Sequence, residues 1–219
     1  MYDTPFLEVR DLEVATGMRV PDFELNTSMN LLLTGREASA TTTMLTLSGR
    51  MKPKSGDICL QTRGGETLIT PRDRGARIAL AGVPAIDGLD RNVPARTYIR
   101  ETSAWANPWY RRTPRKVQNI EQWQHVSELF DLHIDPDEQV GKLNATHRFI
   151  LRVALALIAR PDPELVIIDD IDQVRSHEIR AELIDHLRVL SEHVPVIVAS
   201  TNRDTNKQFD RVISLEGSK

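Results

Sequence analysis

One cysteine, Cys59, in 219 residues has no partner within the chain. That excludes an intramolecular disulfide and any multi-cysteine zinc or iron–sulfur centre, and it fits a reducing compartment. Aromatic residues are scarce at 5%, too few for a stacking-rich nucleic-acid platform. No apolar run approaches the roughly 18 to 20 residues that cross a bilayer. The first nine residues carry acids where a secretory signal would carry a basic region and an apolar stretch, so the chain is expected neither to span a membrane nor to be exported by its own signal. A cationic excess is also missing. Lys and Arg number 28 against 31 Asp and Glu, a net charge of -3, which argues against whole-surface attraction to DNA or RNA. His125, His133, His177, His186 and His193 show no metal-ligand spacing. What is present is ordinary for a globular chain, 40% hydrophobic and 27% charged residues, and the length predicts one compact domain carrying an inserted subdomain.

Residues 5–14 (PFLEVRDLEV) alternate apolar and polar side chains as a half-buried strand does, and Phe23 to Asn26 predicts a second strand. The apolar run Asn30 to Leu33 reaches Thr34-Gly35, after which Thr43 to Arg50 has helical spacing with a stop at Gly49. Ser55 to Gln61 and Arg77 to Ala81 predict further strands. His147 to Arg160 and Arg175 to His193 predict helices, and Glu164 to Ile168 and Val194 to Ser200 predict buried strands. Buried strands alternating with helices imply a parallel sheet covered on both faces.

Between these halves the composition changes. Residues 84–139 hold five of the prolines and all three tryptophans. Between Arg91 and Lys116, seven basic residues (Arg91, Arg96, Arg100, Arg111, Arg112, Arg115 and Lys116) face one acid, Glu101, so that stretch carries +6 while the rest of the chain carries -9. Three readings fit: contact with single-stranded nucleic acid through interleaved aromatics, a solvated helical face with the tryptophans packed inward, or a docking surface for acidic cytoplasmic loops or anionic lipid headgroups.

Asn30 to Leu60, with its strand, loop, helix and Lys-Pro…Ser-Gly…Ile turn, Arg152 to Asp170 (RVALALIARPDPELVIIDD), and the closing strands from Val196 to Glu216 follow one another in an order that resembles the nucleotide-binding domain of ATP-binding-cassette (ABC) proteins. The resemblance implies an α/β fold: a P-loop NTPase-like parallel core with an N-terminal antiparallel β region and an inserted helical subdomain. It places the β region and phosphate-loop part at 1–83, the helical subdomain at 84–147, and the rest of the core, with a Walker B-like strand, at 148–219. It also implies ATP and magnesium as cofactors, a cytoplasmic place at the inner face of the cell membrane, an integral membrane protein as partner, and pairing as a homodimer or with another ABC-type subunit.

The positions that should carry the chemistry have changed. A working phosphate loop reads G-x-x-x-x-G-K-[ST]: its glycines bring backbone N–H groups to the phosphates, its lysine neutralises them and its hydroxyl holds magnesium. Here Gly35 and Thr42 remain, with Thr43 beyond, but Ala40 replaces the second glycine and Thr41 the lysine. Thr41 can donate one hydrogen bond and no charge. Arg36 is a partial substitute, and Glu37 adds a negative charge. Asp169 matches the Walker B aspartate that holds magnesium through water. Asp170 stands where the family has the glutamate that activates water, one methylene shorter than that task requires, and Asp172 corresponds to a D-loop aspartate. The signature "LSGGQ" aligns with Leu143 to His147 without its glycines, and Asn202 takes the switch-histidine position. No glutamine stands near Leu80 to Pro84, and no aromatic near Ala15-Thr16 to stack adenine. Together these imply a degenerate, non-hydrolysing or weakly hydrolysing subunit that serves a membrane transport complex structurally or as a regulator and docks through Arg91, Arg96, Arg100, Arg111, Arg112 and Arg115. The alternative is a transport ATPase working through Thr41, Thr42, Asp169 and Asp170. A soluble nucleic-acid-associated ABC ATPase is a weaker third, since those usually carry two cassettes and this chain has one.

Overall fold

The structure, a computed structural model, describes residues 5–35 and 39–215. Arg36, Glu37 and Glu216 lie outside them.

Strand β1 (Leu7–Ala15) buries Leu7 and Val9, then Leu12 and Val14. This change of parity comes from an irregularity at Asp11, whose φ is +48° and where the register to the neighbouring strand shifts between Arg10 and Glu13. An extra residue there returns the later apolar side chains to the same face. Short strands β2 (Met18–Arg19) and β3 (Phe23–Leu25) pair antiparallel with β1. Strand β5 (Ser55–Gln61) also pairs antiparallel with β1, and β6 (Thr67–Leu68) pairs with β5.

The second sheet is parallel throughout, in the order β10-β4-β9-β8-β7. It comprises β4 (Met29–Leu33), β7 (Ile78–Ala81), β8 (Leu165–Ile168), β9 (Val196–Ser200) and β10 (Arg211–Ser214). Strands β7, β8 and β9 are buried at every residue, as continuous apolar runs in a sheet covered on both faces must be. Because all strands run the same way, the carboxyl ends of β4, β9 and β8 come together at one edge, where open α/β sheets hold their ligands.

Helix α1 (Ser39–Leu47) follows β4 and packs between the two sheets, its Met44 and Leu47 fully buried in the same core as the N-terminal strands. It starts four residues before the predicted Thr43, because the hydroxyl run Ser39, Thr41, Thr42, Thr43 reads as loop chemistry that competes with a helix. Gly49 ends it as expected: its φ is +74°, and a Cβ there would sit 2.2 Å from the Pro71 carbonyl oxygen. That carbonyl belongs to α2 (Pro71–Arg77), a helix unforeseen in the sequence. Its Thr70 cap accepts from the Asp73 N–H at 3.2 Å, and Pro71 opens its first turn.

Helices α3 (Pro84–Asp87), α4 (Ala95–Ala106) and α5 (Glu121–Leu129) lie between β7 and α6 (Ala145–Ala159). Helix α6 is buried on nearly all sides, and α4, α5 and α7 (His177–Ser191) join it in a second core on the other face of the parallel sheet. Helix α4 buries Ala95, Ile99 and Ser103, one residue per turn. Trp105 therefore points away from that stripe and is 89% exposed, while Trp109, in the following loop, is 96% exposed. The expected inward packing occurs for Trp123 alone.

Candidate functional site

The start of α1 and the end of β8 are joined by a hydrogen bond. Thr41, in the first turn of α1, donates its hydroxyl to Asp169 Oδ2 at 2.7 Å. Asp169 is 1% exposed, and its other oxygen, Oδ1, is buried with no partner among the described residues. Burial raises the Asp169 pKa, the Thr41 bond opposes that rise, and the charge of Asp170 adds to it. The carboxylate thus sits in a place that favours its protonated form.

Gly82 lets the end of β7 approach this residue. Its φ is +93°, and a Cβ there would lie 2.0 Å from the Asp169 carbonyl oxygen. Its N–H donates to Asp87 Oδ2 at 2.7 Å, and its carbonyl accepts from Gln173 Nε2 at 2.7 Å. No glutamine stands in the sequence around Gly82, but Gln173 reaches it from the segment after β8. Arg152 on α6 closes the network, donating to Gln173 Oε1 at 2.9 Å and to Asp87 Oδ1 at 2.5 Å. Sequence reasoning missed this tie because Asp87, Arg152 and Gln173 come from three separate elements and share no motif.

Asp170 is exposed and takes a left-handed backbone, φ +46°. Desolvation and the Asp172 carboxylate push its pKa up, against the pull of Arg152 and Arg180. Asp172 turns back into its own chain. It accepts from the Thr201 N–H at 2.6 Å, Asn202 Nδ2 at 2.8 Å, Thr201 Oγ1 at 2.9 Å and Ser200 Oγ at 2.9 Å. Burial works to raise its pKa, but these bonds, that from Asn202 foremost, hold it below the ordinary carboxylate range. Asn202, which the sequence resemblance sets at the switch-histidine position, thus anchors a turn.

A pocket of about 180 Å³ opens among Gly35, Ala40, Thr41, Asp169, Asp170 and Ser200. Among the described residues no Lys or Arg lines it, and Thr42 and Thr43, further along α1, are outside its lining. Asp169 and Asp170 are the carboxylates that would face magnesium, with one Asp169 oxygen held by Thr41. In the segment aligned with the signature, Asn144 caps α6 by accepting from the His147 N–H at 2.7 Å, and Thr146 Oγ1 donates to Glu182 at 3.0 Å. Both side chains are spent on holding helices.

In the basic segment Arg96 pairs with Asp137 and Arg111 with Glu121. Arg91, Arg100, Arg112, Arg115 and Lys116 have no ion pair among the described residues, and all five are exposed. Trp109 and Tyr110 stack edge to face beside them, ring centroids 5.9 Å apart.

No family model and no curated protein matches the chain. Solved structures do match in fold. The MJ1267 ATP-binding cassette of an ABC transporter superposes with a TM-score of 0.75 at 11% identity, over 97% of this chain and 88% of that one. A putative ABC transporter ATP-binding protein from Pyrococcus furiosus gives 0.68 at 19%, over 95% and 96%. The cbiO1 protein from Clostridium perfringens, part of the ABC transporter complex cbiONQ, gives 0.72 at 15%, over 97% and 85%. The chain has the ABC ATPase fold, and among its described residues no helix is long and apolar enough to cross a membrane.

Proposed function

We propose that this protein is a cassette-fold subunit that does not hydrolyse ATP and acts as a structural or regulatory partner of a membrane transport complex at the inner face of the cell membrane. The observation that carries the reading is the Thr41–Asp169 hydrogen bond. Where a working site needs a cation on the phosphates and a free aspartate for magnesium, one neutral hydroxyl occupies one aspartate oxygen and supplies no charge. Closing the pocket onto itself removes the electrostatic stabilisation on which phosphoryl transfer depends.

A membrane partner is supported by the fold shared with cbiO1, a component of a multi-subunit transporter, and by the exposed Trp105, Trp109 and Tyr110 beside unpaired arginines. Exposed tryptophan and arginine are the side chains that anchor interfaces. The docking set narrows to Arg91, Arg100, Arg112 and Arg115, since Arg96 and Arg111 are engaged within the chain. The test is affinity capture of the tagged chain from detergent-solubilised membranes of its own host. An integral membrane protein should co-purify with or without ATP and be lost on Arg112→Glu with Arg115→Glu. Capture that requires ATP, or that survives the double reversal, contradicts the reading.

A further inference from the structure

A cleft of about 490 Å³, separate from the pocket around Asp169, opens between the segment following β7, the first turns of α6 and the segment leading into α7. Among the described residues four arginines line it, Arg91, Arg148, Arg152 and Arg175, and no aspartate or glutamate does. In a protein of net charge -3, four like charges around one cavity repel unless something offsets them.

Internal partners account for part of that charge. Arg152, 9% exposed, is paired with Asp87, although its Nε stays buried without a partner among the described residues. Among the described residues Arg148 reaches only the Leu143 carbonyl, at 3.1 Å. The side chains of Arg91 and Arg175 are exposed and meet no acceptor among the described residues. Arg91, Arg148 and Arg175 thus line one cleft with no ion pair among the described residues.

Ala145, the first residue of α6, also lines the cleft. It brings the positive end of that helix to the same place, with first-turn N–H groups that the helix itself cannot satisfy. The remaining walls are apolar: Leu89, Phe149, Val174 and Ile179.

We propose that this cleft binds a soluble organic phosphate, its phosphate held by Arg91, Arg148 and Arg175 and its organic body lying over Leu89, Phe149 and Ile179. The planar guanidinium fork matches phosphate oxygens in pairs, and three arginines match a group carrying two charges better than a single carboxylate. The volume lies within the range of small-molecule sites. None of these residues lines the Asp169 pocket, so the inference is independent of whether the phosphate loop holds nucleotide.

The test titrates inorganic pyrophosphate into the intact, magnesium-free protein by calorimetry. One equivalent should bind, and Arg91→Gln and Arg175→Gln should each weaken it about tenfold, the loss of one charge-assisted pair. Both side chains are exposed, so neither change threatens the fold, and Arg72→Gln, an exposed arginine on α2, should leave binding unchanged. Absence of binding at millimolar pyrophosphate, or binding that survives both cleft substitutions, overturns the proposal. Flotation with phosphatidylglycerol vesicles that depends on Arg91 and Arg175, without pyrophosphate binding, would assign the cleft to a lipid headgroup and refute a soluble ligand.

Discussion

Replacing Thr41 with valine keeps the side-chain shape and removes one hydroxyl. In the wild type that hydroxyl donates to a carboxylate that is 1% exposed and whose second oxygen has no partner among the described residues. The variant removes that donor and leaves the carboxylate with its backbone hydrogen bond from Asp170. A hydrogen bond to a charged group contributes about 1.5–3 kcal/mol, and 1 kcal/mol moves the midpoint of a domain this size by about 2–4 °C, so thermal unfolding at neutral pH should fall by roughly 3–12 °C. The pH dependence has a definite sign. Burial holds the Asp169 pKa above its ordinary value, so its ionisation destabilises the fold above that raised pKa and acidification relieves the penalty. The Thr41 bond favours the ionised form, so the gap between wild type and Thr41→Val should be widest at neutral pH and close as pH falls through the Asp169 pKa. In an Asp169→Asn background Thr41→Val should cost far less, a coupling that a double-mutant cycle reads directly. A variant that unfolds within 1 °C of wild type at neutral pH, or a gap that does not narrow in acid, would refute the reasoning.

Asp172→Asn should destabilise the protein by about 2 kcal/mol at neutral pH, because hydrogen bonds from Ser200, Thr201 and Asn202 now fall on a neutral group. Its pKa is lowered in the fold, so the wild type's advantage is present above the ordinary carboxylate range and is lost as pH falls through the lowered value; denaturant melts at pH 7 and pH 3 check this. Grafting Ala40→Gly and Thr41→Lys should raise affinity for magnesium-ATP by about tenfold or more, since the lysine adds a charge-assisted contact and frees Asp169; calorimetry with no gain would locate the defect elsewhere in the loop.

The sheet was legible because the parallel strands are continuous apolar runs and the half-buried β1 alternates, both patterns set by burial along one element. The order of strand, loop, helix and acid-tipped strand supplied the ABC-type fold, which the solved cassettes share. Helix α2 was missed although Thr70, Pro71 and Asp73 form a capping signal, because Gly75 inside it weakens the helical reading. The tryptophans were misjudged because composition cannot say which side of α4 faces inward; the spacing of Ala95, Ile99 and Ser103 could have. At the site, sequence reading gave Thr41 one hydrogen bond to donate but not its acceptor, since Asp169 lies 128 residues away and the contact exists only through the sheet. The arginine cleft was equally hidden. Arg91 belonged by sequence to the basic segment, whereas the fold sets it with Arg148, Arg152 and Arg175 from α6 and the segment leading into α7.

Steady-state phosphate release at millimolar magnesium-ATP, from the wild type beside Asp170→Asn, tests the central claim most directly, and its readout is unaffected by any phosphate held in the arginine cleft. The account predicts the same background release from both proteins. Turnover in the wild type that Asp170→Asn abolishes would contradict it and establish a working ATPase built on an unconventional loop.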